Sequence, residues 1–135
     1  MLIDNKILSV IIQYLQEKIS PYLIVLFGSV VKGNLRESSD IDIAFLSDQH
    51  FSDYEIFMYG QDLADRIGRD VDLVDLNKAS TVFQTQVISS GRVIYCEDER
   101  KRMQFYMLAL KKYARLNEER QCIFDKLMER GTIYD

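Results

Sequence analysis

The sequence predicts an α/β layer architecture, a small mixed sheet of about four strands flanked by helices, with a long helix at its C-terminal end. Three observations predict it. Apolar residues recur at helical spacing in four stretches, short β-rich apolar runs lie between them, and the last quarter of the chain reads as one extended amphipathic helix.

The first element is helical: Ile7, Leu8, Ile11, Ile12, Leu15 and Ile19 share one face, with Asp4 as N-cap. Pro21 ends it, because the residue before a proline is pushed out of the helical region. Leu23 to Phe27 reads as a buried strand, followed by a glycine-bounded segment from Gly28 to Gly33. Asp40 to Leu46 is the second strand. Ser52 opens the second long helix, with Glu55 completing a capping box, an apolar stripe through Ile56, Tyr59, Leu63 and Ile67, and Gly68 as its stop. Val71 to Leu76 is the third strand, Ser80 to Ile88 a short helix, and Arg92 to Tyr95 the fourth strand. From about 98 to 130 the chain is one helix, carrying Met103, Tyr106, Met107, Leu110, Ala114, Ile123, Phe124 and Leu127. With no Gly/Ser-rich or Pro-rich linker, residues 1–135 are expected to form a single domain, whose catalytic sheet and helices occupy about 5–96.

Composition excludes several classes. The 47% hydrophobic and 28% charged residues are those of an ordinary globular protein. The longest apolar run, Tyr22 to Phe27, is too short for a membrane span, and polar residues at positions 4–6 argue against a signal peptide. Two widely spaced cysteines, Cys96 and Cys122, make neither a disulfide framework nor a zinc site, so the expected location is the reducing cytoplasm. The single histidine, His50, rules out chemistry based on a histidine cluster. Residues 1–96 carry a net charge of −5 against +1 for residues 97–135, so direct nucleic-acid binding is not expected.

The chemistry lies between Leu26 and Leu46. On a strand, residues two apart point to the same face, so Asp40 and Asp42 project together while Ile41 and Ile43 face the other way, toward a helix. Two carboxylates this close repel one another unless a cation lies between them. Oxygen-only ligation suits Mg²⁺ or Mn²⁺. Gly28 directly after the first strand allows a sharp turn and close approach to a ligand. The amides opening a short helix through Val30 and Val31, together with the Ser29 hydroxyl, would then face an anion such as a triphosphate. The absence of Lys-Ser/Thr after Gly33 excludes a P-loop. A third carboxylate, Asp72, stands within an apolar strand, where an acid is seldom buried without a partner. Asp70 and Asp75, at the ends of that strand, read as loop residues. Three such acids suit a two-metal design, with cations about 3.5–4 Å apart clamping the oxygens of an in-line transfer.

The combination of Gly28-Ser29-x-x-x-Gly33, Ser39-Asp40-x-Asp42 and Asp72 on a later strand resembles the nucleotidyltransferase superfamily of DNA polymerase β type. At this length it is similar to the minimal nucleotidyltransferases, the antitoxin half of type VII-like HEPN–MNT toxin–antitoxin pairs. The resemblance implies a polymerase β-like fold and an ATP-dependent protein adenylyltransferase with two Mg²⁺ ions. Its implied partner is a HEPN ribonuclease toxin, silenced by transfer of AMP to one of its tyrosines. By position, Gly28, Ser29 and Ser39 would bind the nucleotide, and Asp40, Asp42 and Asp72 would be catalytic metal ligands. Asp72 would also draw the proton from the attacking hydroxyl. Two other readings compete: an antitoxin acting by contact alone, which has no use for the three aspartates, and an aminoglycoside-type small-molecule nucleotidyltransferase, which needs more chain for its substrate. The far end of the last helix exceeds what a domain this small needs, so Phe124 and Leu127 are expected to anchor a partner.

Overall fold

The computed structural model describes residues 4–28 and 40–130. In chain order its elements are α1 (Asn5–Lys18), β1 (Leu23–Phe27), β2 (Ile41–Leu46), α2 (Asp53–Ile67), β3 (Val71–Asp75), a 3₁₀ turn (Leu76–Lys78), α3 (Thr81–Ser90), β4 (Arg92–Cys96) and α4 (Glu99–Arg130). The four strands form one sheet in the order β3-β2-β1-β4. β1 is antiparallel to both β2 and β4, whereas β2 and β3 are parallel. A mixed sheet follows from the connections: β2 reaches β3 through the crossover helix α2, as a parallel pair requires.

Alternation along the strands divides the apolar residues between two cores. Ile24 and Leu26 of β1 and Ile41, Ile43 and Phe45 of β2 meet Ile11 and Leu15 of α1 and Ile56 and Leu63 of α2. On the opposite face Leu23, Val25, Ala44 and Leu46 meet Val87 of α3, with Phe83, Phe105 and Tyr106 packed against them. Ile41 and Ile43 therefore face helices, leaving Asp42 on the other side of β2.

Local signals fix the helix ends. Asp4 caps α1 by accepting from the Ile7 amide at 2.9 Å. Ser52 Oγ accepts from the Glu55 amide at 3.1 Å while the Ser52 amide donates to Glu55 Oε1 at 3.0 Å, closing the capping box of α2. Gly68 ends α2 in the left-handed region, at φ 71°. Several boundaries differ from expectation. β2 starts at Ile41, with Asp40 just before it. β3 stops at Asp75 rather than Leu76, because Asp75 Oδ1 accepts from the Asn77 amide at 3.0 Å and turns the chain into the 3₁₀ turn. α3 starts after Ser80, which is its N-cap, and continues to Ser90. β4 extends to Cys96, in register with Leu23.

α4 packs on the domain only through its first half. Ala109 is buried and Phe105, Tyr106, Tyr113 and Leu116 are half-buried, but every residue from 117 to 129 is exposed. Among the described residues, no helix is long and apolar enough to cross a membrane.

Candidate nucleotidyl-transfer site

Strand direction brings the predicted residues to one edge of the sheet. β1 runs out to this edge, and Phe27 at its end lies opposite Asp42. β2 and β3 start from it, with Asp42 and Asp72 in register, so neighbouring strands present two carboxylates to the same face. Asp40 stands just before β2 and is exposed, as is Asp72 on the edge strand β3. Asp42 is half-buried between them.

Their electrostatics agree with this arrangement. Burial pushes the Asp42 carboxyl above its ordinary range, and the negative charges of Asp72 and then Asp40 push it further in the same direction. Asp72 is exposed on the edge strand β3, on the face opposite the one where Leu73 packs against Ile56 and Leu63.

Gly28 completes the edge. Its φ is 76°, a conformation open to glycine and strained for other residues. A Cβ at this position would overlap Asp42 Oδ2. The backbone after β1 can therefore lie directly against the carboxylate, where any side chain would displace it. Ser29 and Ser39, with the turn through Val30, Val31 and Gly33, lie outside the described residues.

Among the described residues, no group of three His, Cys, Asp or Glu side chains stands close enough to hold a metal ion as placed. The donor set nonetheless fits a hard cation: the ligands are all carboxylate oxygens, and Asp42 bears the repulsion of two like charges that a divalent ion would relieve. Asp70, exposed just before β3, is the loop acid expected, whereas Asp75 is not. Asp75 is buried and serves as the cap of the 3₁₀ turn, with burial raising its carboxyl above the ordinary range. The Asp70 carbonyl accepts from the Ile41 amide at 2.9 Å and helps seat β2 beside β3.

Sequence reading did not find a cavity of about 340 Å³ beside Gly28, lined by Phe27, Phe83, Gln86, Val87, Ser89 and Ser90. Its residues come from β1 and α3, more than fifty positions apart, and only the fold brings them together. The one signal in the sequence is Phe83, Gln86 and Ser90 at helical spacing.

The family model for the polymerase beta nucleotidyltransferase domain matches residues 9–100, which span every element of the sheet and all three aspartates. The chain belongs to this family. The nucleotidyltransferase is 38% identical over 106 residues to the protein adenylyltransferase MntA of Shewanella oneidensis, across 78% of this chain and 76% of that protein. Its fold matches a chain in the crystal structure of a toxin–antitoxin with AMP-PNP at a TM-score of 0.80 and 36% identity, covering 90% of this chain and 98% of that chain. A tri-AMPylated Shewanella oneidensis HEPN toxin in complex with MNT antitoxin gives a match at a TM-score of 0.75 and 34% identity, covering 91% and 97%. The nucleotidyltransferase thus shares fold and sequence with these proteins over most of its length, including part of α4.

Proposed function

We propose that this nucleotidyltransferase is the antitoxin of a HEPN–MNT pair, transferring AMP from ATP to a tyrosine of its partner HEPN ribonuclease. One observation carries the reading: Gly28, Asp42 and Asp72 meet at one sheet edge, with Gly28 lacking the one atom that would collide with Asp42. The likeness to MntA and to an AMPylated-toxin complex supports the choice of donor and acceptor.

In the reaction, an oxygen–phosphorus bond forms between the tyrosine hydroxyl and the α-phosphorus of ATP. The bond to the bridging oxygen of the leaving group breaks, and pyrophosphate departs. Asp40, Asp42 and Asp72 would hold the Mg²⁺ ions, two of them in this proposal, with Mn²⁺ an acceptable substitute. Bound there, the metal supplies charge neutralisation for the phosphoryl and leaving oxygens. The chain's own residues do the rest. Gly28 lets the triphosphate approach the backbone closely, and Ser29 and Ser39 are assigned to the same phosphates. Asp72, open to solvent on the edge strand, takes the proton of the incoming hydroxyl. The outer half of α4 is assigned to gripping the partner, through Phe124 and Leu127, both exposed.

The test incubates the full chain with the HEPN partner, Mg²⁺ and ATP radiolabelled at the α-phosphate, then maps the modified residue by mass spectrometry. Label on a toxin tyrosine, lost with Asp42→Asn, is the expected result. Neutralisation of the toxin without label would overturn AMP transfer in favour of inhibition by contact.

A further inference from the structure

We infer that the acceptor segment of the HEPN partner binds as an added strand along the outer edge of β3, with its acceptor residue opposite Asp72. The inference rests on the AMP-transfer reading above and deepens it by saying how the acceptor hydroxyl is brought to the acids.

The hydrogen-bond pattern of β3 leaves this edge open. The Asp70 carbonyl accepts from the Ile41 amide, so in the parallel pair Asp72 and Val74 also turn their backbone groups toward β2. Val71 and Leu73 therefore point theirs outward, and among the described residues no strand or turn pairs with them there. Amides and carbonyls alternating along an edge are a surface that an extended polypeptide recognises. The edge is also undefended: β3 has neither Pro nor Lys, and its pairing with β2 is regular. The opposite edge of the sheet, β4, opens on Arg92 and pairs irregularly with β1.

Continuity with the acids selects the occupant. Residues opposite one another on neighbouring strands send their side chains to the same face. A residue opposite Asp72 thus presents its hydroxyl on the acid face, beside the carboxylate assigned to take its proton. Its neighbours in the added strand point the other way, to the face where Leu73 packs beneath α2. On that side the edge holds a cavity of about 330 Å³, lined by Ile56 and Phe57 of α2, Leu73 and Asp75 of β3, and Lys78 among others. It is placed to take an apolar side chain one or three residues from the acceptor. Phe57, in its wall, is 61% exposed, a large aromatic surface that the chain itself leaves uncovered. Lys78 is engaged by the Phe51 carbonyl and the Asp53 carboxylate, which leaves the cavity to apolar groups. The net charge of −5 over residues 1–96 likewise favours a polypeptide over a nucleic-acid strand.

The test measures AMP transfer to the HEPN partner by the full chain, with ATP affinity followed separately by calorimetry. Val71→Pro removes one outward amide and no bond to β2, and Val71→Ala is its control, losing the side chain but keeping the amide. Relative to Val71→Ala, the proline variant should lower kcat/KM for the partner about fivefold, the scale of one hydrogen bond, with ATP affinity within about twofold. Phe57→Ala should lower kcat/KM for the partner by a similar factor and leave ATP affinity and the melting temperature unchanged. Phe57 is exposed, so its variant decides the matter should Val71→Pro fail to fold. A folded Val71→Pro variant that matches Val71→Ala, or unchanged transfer in Phe57→Ala, would overturn the edge as the acceptor's dock. Loss of ATP affinity in step with transfer would overturn it as well. A wild-type chain that leaves the partner unlabelled would instead bring down the AMP-transfer reading itself, and this inference with it.

Discussion

At the residue scale, two glycines with nearly the same backbone separate function from stability. Gly28 and Gly68 have φ of 76° and 71°, so replacing either with alanine brings a strain of about 1 kcal/mol. Only at Gly28 does the new methyl meet anything: it would overlap Asp42 Oδ2, whereas at Gly68 nothing lies within 4 Å. Gly68→Ala should lower the melting temperature by a few degrees, about what 1 kcal/mol does in a domain of this size, and leave AMP transfer unchanged. Gly28→Ala should lower the rate of transfer by about tenfold or more as well, because the carboxylate must move. Asp42→Asn separates the same two properties in the opposite sense. The Asp42 carboxyl is held above its ordinary range, so its ionised form opposes folding at neutral pH in metal-free protein. The amide removes that repulsion. Scanning calorimetry in the presence of a chelator should show a melting temperature equal to or above wild type, while transfer falls by about a hundredfold or more. A variant that melts much earlier would show that Asp42 is a structural residue.

At the element scale, the helix signals were legible because each is a short-range contact between residues close in sequence. Asp4, Ser52 with Glu55, and Gly68 all act where their residue types predicted. Ser52→Ala should remove the bond that Ser52 Oγ accepts from the Glu55 amide, leave the Ser52 amide to donate to Glu55, and destabilise the fold by about 1 kcal/mol, seen as an earlier denaturant midpoint with unchanged transfer, since α2 contributes no residue to the acid edge. The order of the elements was likewise legible from alternation alone, whereas Asp40, read as the first residue of the second strand, stands just before it. What the sequence hid depends on sheet position. Nothing local to Val71-Asp72-Leu73 says that β3 is an edge strand, so the hydration of Asp72 emerges only with the strand order. Asp75 was read as a loop acid because its bond to the Asn77 amide resembles any short polar turn until its burial is seen. The cavity at Phe83 and Gln86 needs β1 beneath α3, and the helical spacing of Phe83, Gln86 and Ser90 alone does not reveal it.

At the scale of the whole molecule, the two halves of α4 do different work. The first half is tied down: the Asp98 carboxylate accepts from the Lys101 amide at 3.0 Å, Lys101 pairs with Asp48, and Ala109 is buried. Beyond residue 116 the helix leaves the domain, with Ile123, Phe124 and Leu127 exposed to 60%, 54% and 42%. A helix that covered this domain's own core would have buried these three. Apolar side chains on a projecting helix lose little when truncated in the free protein and much when a partner covers them. Replacing Phe124 and Leu127 together with alanine should therefore leave the melting temperature and Mg²⁺-dependent ATP binding unchanged. Affinity for the HEPN partner should fall by about thirtyfold or more, the equivalent of about 2 kcal/mol for a truncated anchor. Because both residues are remote from the acid edge, transfer at saturating partner should be retained, with the loss confined to the partner concentration needed. Isothermal titration of the complex and a transfer assay across partner concentrations check the two expectations. An unchanged affinity would remove the outer half of α4 from the docking surface and place the partner's grip elsewhere on the domain.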